Sequence, residues 1–349
     1  MSDDTPTSET TTSPACTSEP TPFTSPPSDS LSKTQSAIQS LSSILPSTLP
    51  PPLSSAFSLL HDPEVAAQIS SLLRHPNSGA GDNNLCRWLY DTFQSGDPDL
   101  QLVALRFVPT IAGVYLSRVT LRKPLAGFEA VLLALYAHET TSRAGQPVTV
   151  SVPDLSHPSV YHESKAPINN NAAELNLAVL SPTLEPHGIV RSTKRARIVG
   201  VALELYYSKI SQMPDGSKID FCEFCMVWSG HAYDESDCEI SERMEKEGRI
   251  PLPWELLTPV LRILGHCIVG KREKKQVFDA AWAACRSLHA RSVHDINPRA
   301  MLATGSLLSL GKMDMEPVEC FDPTDNIHNS DVLTVVSTSG TNSTTHVEE

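Results

Sequence analysis

Apolar residues recur at helical spacing through much of the chain, and capping residues mark where the helices begin. Asp62 followed by Pro63 predicts a helix start, because aspartate caps a first turn and proline is tolerated at the first helical position. Val65, Ile69 and Leu73 then fall on one face of that helix. The first half of the chain is therefore predicted to be helical.

Two further signals divide this first half into separate helices. Gly96, Asp97 and Pro98 repeat the stop-and-cap pattern. Pro109 interrupts the helix that follows, and it should kink or split that helix because proline lacks an amide hydrogen and clashes with the preceding turn. A more buried helix is predicted at residues 127–140.

The second half continues in the same way. A strong helix is predicted to begin at Ser192 or Thr193, and a turn at 213–216 precedes a short apolar helix at 219–228. The last three helices are predicted at 253–270, 273–291 and 298–310. No fixed sequence period identifies a standard repeat family. The count is about nine helices, and their short connections favour antiparallel neighbours.

One stretch has the pattern of a strand. Residues 146–153 alternate between apolar and polar side chains, and the prolines that flank them favour the edge of a sheet. Residues 164–190 have the composition of a long loop. The predicted fold is all-α, an irregular multi-helix, solenoid-like domain with a small inserted β hairpin.

The two ends of the 349-residue chain have the composition of disordered tails. Residues 1–52 are mostly rich in Ser, Thr and Pro, and residues 311–349 are polar and acidic, so neither can bury enough apolar surface to offset the entropy of ordering. The folded domain is predicted at 53–310. The net charge of −13 comes from the ends, because residues 56–310 hold 27 acidic and 25 basic residues. Such a domain lacks the basic surface typical of nucleic-acid binding.

A Cys-x-x-Cys pair is the strongest candidate for a metal site. Cys222 and Cys225, with His231 and Cys238, could supply four zinc ligands. The residues at 221–228 form an apolar helix face, however, and the chain has no second metal-binding pair. We therefore expect core thiols and predict no cofactor, with zinc binding as the alternative.

A catalytic serine is a weaker candidate. Ser159 lies between His157 and His162, but no Gly-x-Ser-x-Gly sequence surrounds it. Hydrogen bonding in turns explains these residues better, and no catalytic residue is predicted.

Two basic clusters are candidates for contact with a partner or an anionic lipid surface. The first opens a predicted helix, where the dipole disfavours positive charge, so it indicates an acidic partner or an acid elsewhere in this chain. The second lies between two helices, and its first two cations suit a helix C-terminus. The candidates are Lys194, Arg195 and Arg197 in the first cluster and Lys271, Arg272, Lys274 and Lys275 in the second.

The chain shows no sign of its own membrane attachment. No stretch reaches 18 uncharged apolar residues, and Asp3, Asp4 and Glu9 lie where a signal peptide needs positive charge. Residue 2 is serine, so the N-terminal myristoylation signal is missing, and the C-terminal prenylation signal is missing too. We expect a cytosolic protein.

Several runs of residues resemble the hyccin family, and the chain looks like a plant member. They are Leu-His-Asp-Pro-Glu-Val at 60–65, Ala-Leu-Arg-Phe-Val-Pro at 104–109, and a segment from 152 that ends in Pro-Ser-Val-Tyr-His-Glu at 158–163. Arg-Ile-Pro at 249–251 and the helices after it follow in the same order. The resemblance covers about 55–310.

The resemblance implies a non-enzymatic subunit of the complex that holds phosphatidylinositol 4-kinase alpha at the plasma membrane. Hyccin-like proteins bind a helical tetratricopeptide-type scaffold, and a separate anchor protein brings the complex to the membrane. The expected role is that of an adaptor in the cytosol and at the cytoplasmic face of the plasma membrane, which supports phosphatidylinositol 4-phosphate synthesis. The alternatives are a zinc-dependent or hydrolytic enzyme and a membrane-surface module that acts alone through the basic clusters.

Overall fold

The computed structural model describes residues 27–46, 54–119, 121, 123–153, 175–186, 190, 194–230, 252–270 and 274–315. Within these ranges the chain forms twelve α-helices and one two-stranded antiparallel ribbon. The predicted all-α fold with a small β hairpin is therefore confirmed.

The first seven helices precede the ribbon, and their caps follow the sequence signals. Asp62 Oδ1 accepts hydrogen bonds of 2.9 Å from the amides of Glu64 and Val65, and Asp97 caps its helix in the same way. The helices are α1 Pro27–Ser42, α2 Ala56–His61, α3 Pro63–Arg74, α4 Asn84–Gln94, α5 Pro98–Arg106, α6 Val108–Val119 and α7 Ala126–Ser142.

The ribbon and five further helices complete the described chain. At the C-terminal end, α11 packs against α9, α10 and α12. The elements are β1 Val148–Pro153, β2 Leu175–Ser181, α8 Arg195–Ser208, α9 Asp215–Ser229, α10 Trp254–Ile268, α11 Lys275–His294 and α12 Pro298–Met315.

Pro109 divides one apolar stretch into two helices, as the sequence predicts. Helix α5 ends at Arg106, and α6 begins at Val108 with Pro109 in its first turn, where a proline costs no intrahelical hydrogen bond. The two helix axes are bent by 41° at this break.

Helix α6 lies at the centre of the domain. Its residues 108–116 are all buried, and it packs against α3, α8 and α9. Gly113 permits the close approach of α9, because a Cβ atom there would lie 2.0 Å from the ring of Phe224. Any larger residue at this position would force the ring of Phe224 out of its contact with α6.

Two buried arginines join the helices through backbone carbonyls. Arg118, at the end of α6, donates hydrogen bonds of 2.8 Å to the carbonyls of Arg74 and His75 and also reaches Ser78. Arg106 donates to the carbonyl of Leu60 in α2. The last carbonyls of a helix have no hydrogen-bond donors within that helix. At the end of α3, the guanidinium of Arg118 supplies such donors.

The N-terminal boundary differs from the prediction. Residues 1–52 are predicted to be mostly disordered, but α1 lies within them and packs on α4. Leu41 and Leu45 are buried, and the indole nitrogen of Trp88 donates to the carbonyl of Ala37 at 2.9 Å. Serine-rich composition makes the apolar stripe of α1 hard to recognise in the sequence. A sparse stripe is sufficient to hold α1 in place because α4 provides the apolar surface on which it packs. Residues 1–26 and 316–349 lie outside the described residues.

Three other predicted boundaries are wrong. Strand β2 lies in the range 164–190 that is predicted to be a loop, although Leu175, Leu177 and Val179 recur there at every second position. Helix α9 begins at Asp215, within the predicted turn, because Pro214 and Asp215 favour a helix start. Helix α12 also continues to Met315, past the predicted domain end at 310.

Replacing Leu41 with alanine tests whether α1 belongs to the folded domain. Leu41 is fully buried, so its truncation should lower the free energy of unfolding by about 3 kcal/mol, measured by urea denaturation. Leu31 on the same helix is 58% exposed, and Leu31→Ala is the matched control, expected to change stability by less than about 0.5 kcal/mol. Equal effects from the two substitutions would show that α1 does not pack as described.

Candidate partner interface

The β ribbon projects from the helical domain and exposes apolar side chains on both faces. Val150 and Val152 on β1 are 41% and 40% exposed, and Leu177 and Val179 on β2 are 70% and 60% exposed. Val150 pairs with Ala178 on one face, whereas Leu177 pairs with Ser151 on the other, so neither face packs fully against the helices. Neither strand contains a charged residue. Exposed apolar surface of this kind is typical of an interaction site.

A charged cluster fixes the base of the ribbon to the helical domain. Arg143, directly after α7, forms ion pairs with Glu139 of α7 and with Glu204 of α8, the latter at 3.0 Å. The same guanidinium donates to Ser181 Oγ, at the end of β2, over 2.9 Å. All three charged side chains are largely buried. The cluster therefore ties the chain segments that enter and leave the ribbon to α7 and α8.

Backbone contacts complete this base. Gly145 has a φ of +71°, in the left-handed region that favours glycine, and its carbonyl accepts from the amide of Leu184 at 3.0 Å. The hydroxyl of Tyr136 donates to the carbonyl of Glu185 at 3.1 Å. The chain on both sides of the ribbon is thus held against α7.

The first basic cluster finds acidic partners in its own chain. Lys194 pairs with Glu185, and Arg195 lies 3.8 Å from Glu129. Arg197 donates to two backbone carbonyls, those of Pro182 and Thr183. Of the two explanations that the sequence left open for positive charge at a helix start, an intramolecular acid accounts for Lys194 and Arg195.

The second basic cluster is described only in part. Lys274 forms an ion pair of 2.6 Å with Asp215, the first residue of α9, and Lys275 is exposed at the start of α11. Lys271 and Arg272 lie outside the described residues. Within the described ranges, no ion pair or hydrogen bond links the two basic clusters.

The Cys-x-x-Cys residues lie in the core of the domain. Cys222 and Cys225 are fully buried on α9, and the described residues contain no group of three or more potential metal ligands. A hydrogen bond with Cys267 and burial raise the pKa of Cys222, and burial raises the pKa of Cys225. Burial therefore favours the neutral thiol form of both residues in the metal-free protein. His231 and Cys238 lie outside the described residues, as do His157, Ser159 and His162.

Among the residues that the structure describes, no single helix has the length and apolar composition to cross a bilayer. Helices α5 and α6 would meet that test as a bent pair.

The sequence reasoning missed the residues that define this interface. The recurrence of Leu175, Leu177 and Val179 at every second position is a signal that predicts a strand there. Nothing in the sequence indicates that Arg143 meets Glu204, because 61 residues separate them and only the fold brings them together.

The described helices and the apolar ribbon form an irregular helical domain and not an array of standard repeats. Residues 53–344 match the family model described as Hyccin. The match covers most of the chain, and the chain belongs to the hyccin family. Helix α1 precedes the matched range, and the match continues well past the domain end predicted at 310.

Arg143→Ala should destabilise the base of the ribbon. The substitution leaves the buried Glu204 carboxylate without its cation, which should cost about 3 kcal/mol in urea unfolding and speed hydrogen exchange in β1. Arg286 is exposed on α11, and Arg286→Ala should change stability by less than about 0.5 kcal/mol. Arg143→Lys, which keeps the charge, should lie between the two. The account is wrong if Arg143→Ala and Arg286→Ala are equally stable.

The thiol assignment predicts that purified protein carries well under one zinc ion per chain. Cys222→Ser/Cys225→Ser should leave zinc content unchanged and should lower stability by about 1–3 kcal/mol through burial of two hydroxyl groups. Cys285 is a fully buried thiol of α11, so Cys285→Ser is a control for the stability effect alone. Zinc content is measured by mass spectrometry. Stoichiometric zinc that disappears only in the double variant would contradict the assignment of Cys222 and Cys225 as core thiols.

Proposed function

We propose that this protein is a non-enzymatic adaptor of a phosphatidylinositol 4-kinase complex. The observation that carries the proposal is the family match over residues 53–344, because the hyccin family is a family of non-catalytic adaptors associated with such a kinase complex. In this role the protein binds a tetratricopeptide-type helical scaffold and stabilises it. Through the scaffold it supports recruitment of phosphatidylinositol 4-kinase alpha and synthesis of phosphatidylinositol 4-phosphate.

The distribution of exposed apolar side chains supports an adaptor role. The ribbon presents four of them without any intervening charge, and the cluster around Arg143 holds its base in a fixed position. A preformed surface loses less conformational entropy on binding than a flexible one, so the anchored ribbon is suited to contact a partner.

The distribution of charge supports indirect contact with the membrane. A cation near an anionic bilayer contributes about 1 kcal/mol, but Lys194 and Lys274 already pair with Glu185 and Asp215. Each such pair presents little net positive charge to a lipid surface. We propose that the protein is located in the cytosol and at the cytoplasmic face of the plasma membrane, which it reaches through the scaffold and a separate anchor protein.

Affinity capture of the full chain from membrane-preserving extracts tests this function. We expect co-purification of a phosphatidylinositol 4-kinase and a helical-repeat scaffold, identified by mass spectrometry, and none with the affinity tag alone. Recovery of neither protein would refute the adaptor proposal.

A charge-reversal variant provides the matched control for direct lipid binding. Lys194→Glu/Lys275→Glu should leave both the captured proteins and the membrane-bound fraction unchanged, because the scaffold supplies the attachment. If the chain bound lipid through these cations, the loss would be at least about 2 kcal/mol. Loss of the membrane fraction with the scaffold still bound would favour the membrane-surface alternative.

A further inference from the structure

A pair of cysteines lies across the contact between two core helices. Cys222 is on α9 and Cys267 is in the last turn of α10, and these helices pack against each other. The thiol of Cys222 donates a hydrogen bond to the sulfur of Cys267. Both residues are free cysteines, so the two sulfur atoms are in contact without a covalent bond. Contact between the sulfur atoms is the first geometric requirement of a disulfide.

Among the described residues, two lysines near Cys267 share the carboxylate of Asp215. Asp215 Oδ1 lies 3.7 Å from Lys218 Nζ and 2.6 Å from Lys274 Nζ, so one negative charge faces two positive charges. The side chain of Lys218 is only 6% exposed, and a buried ammonium group without a full counter-charge is unfavourable. Lys218 and Cys267 interact electrostatically, so a thiolate on Cys267 supplies the missing negative charge.

The same groups favour the thiolate form of Cys267. The hydrogen bond from Cys222 lowers the pKa of Cys267, and the positive charges of Lys218 and Lys274 lower it further. Burial and the charge of Asp215 act in the opposite direction, but the pKa of Cys267 still lies below the ordinary value for cysteine. The thiolate is the nucleophilic form of a cysteine, so Cys267 is the more reactive sulfur of the pair.

The proton of the pair stays on Cys222. A hydrogen bond with Cys267, burial and the charge of Glu223 raise the pKa of Cys222. Two neighbouring rings do not change this arrangement, because burial raises the pKa of Tyr206 and lowers the pKa of His266, which leaves both neutral at physiological pH. The pair therefore consists of one thiolate and one thiol.

Cys267 is also the sulfur that a small oxidant reaches most easily. It is 6% exposed, the largest value among the five free cysteines that the structure describes, whereas Cys222, Cys225 and Cys285 are each 0% exposed. Oxidation of cysteines is selective for thiolate character and exposure. Both properties are greatest at Cys267, and a second thiol lies beside it.

We propose that Cys267 and Cys222 form a hydroperoxide-sensitive thiol pair, in which Cys267 is the attacking thiolate and Cys222 is the resolving thiol. The site is independent of the proposed adaptor function. Lys218 and Lys274 are positioning residues, because they act through the charge of Cys267 and do not themselves react.

The reaction has two steps. The Cys267 thiolate attacks one oxygen of the hydroperoxide, the O–O bond breaks, and a sulfenic acid forms while the other oxygen leaves and takes up a proton as an alcohol or water. The sulfur of Cys222 then attacks the sulfur of the sulfenic acid, the S–O bond breaks, and the hydroxyl leaves with the thiol proton as water. Two thiols are oxidised to one disulfide, and one hydroperoxide is reduced by two electrons.

The disulfide joins α10 covalently to a central helix. Helix α9 packs against α6 and α11, so a bond from Cys222 to Cys267 fixes the end of α10 against the middle of the domain. Reduction by a thiol releases α10 again, which makes the bond reversible.

Disulfide mapping of the unmodified full chain tests the proposal without any substitution. The reduced protein is freed of reductant, treated with hydrogen peroxide, alkylated under denaturing conditions, digested without reduction and analysed by mass spectrometry. We expect a peptide pair joined through Cys222 and Cys267 that disappears on treatment with dithiothreitol. Cys285 is the internal control and should remain a free thiol. A disulfide to another cysteine, no disulfide, or equal oxidation of Cys285 would overturn the proposal.

Single substitutions assign the two roles. Cys222→Ser should stop the reaction at the sulfenic acid of Cys267, which dimedone labels, whereas Cys267→Ser should leave Cys222 unoxidised and unlabelled. Thermal unfolding checks that both variants fold. Sulfenic acid on Cys222 in the Cys267→Ser variant, at the rate seen for Cys267 in the other variant, would show that the roles are assigned wrongly.

The pH profile of the reaction tests Lys218. Without this cation the thiolate is less favoured, so Lys218→Met should move the midpoint of the rate of disulfide formation to higher pH by about one unit. Lys218→Arg keeps the charge and should restore the profile of the unmodified chain. Identical profiles for Lys218→Met and the unmodified chain would refute the role of Lys218, because a loss of packing does not distinguish methionine from arginine by charge.

Discussion

The burial of α6 is the constraint on which the rest of this domain depends. A helix covered on every side must receive partners from several directions, and α3, α8 and α9 supply them. Its own composition allows this: Gly113 admits α9, and Arg118 turns the end of α6 into a hydrogen-bonding site for the carbonyls that end α3. Burial lowers the pKa of Arg118. The several carbonyls that it contacts offset much of the cost of placing its charge there.

The sequence predicts the elements whose signals are local. Asp62, Asp97 and Pro109 act through their own covalent neighbours, so the start of α3, the start of α5 and the break before α6 are correct. The resemblance to the hyccin family depends on such short runs too, and the family match bears it out.

Elements stabilised by distant contacts are less predictable. The stripe of α1 is too sparse to indicate a helix until α4 is present to cover it, and β2 is a strand because β1 pairs with it. The acids that meet the first basic cluster, Glu129 and Glu185, lie in elements that only the fold places beside α8. The candidate interface was missed for this same reason.

Charge and apolar surface are distributed in complementary ways over the described chain. Some cations that the sequence alone assigns to contact with a partner form ion pairs with nearby acids instead. Lys274, for example, pairs with Asp215. The two strands of the ribbon, by contrast, contain no charged residue and expose four apolar side chains. Recognition through such surfaces depends on shape and on release of water, and it changes little with ionic strength.

The anchored base of the ribbon also sets the energetic cost of the connection between its two strands. Arg143, Glu204 and Ser181 hold the two ends of the insertion together, so the loop-closure entropy of the chain between them is the main energetic consequence of its length. Each doubling of a closed loop costs about 0.6 kcal/mol. The length of the chain between β1 and β2 therefore contributes little to the stability of the fold, because the anchored base already holds the two strands together.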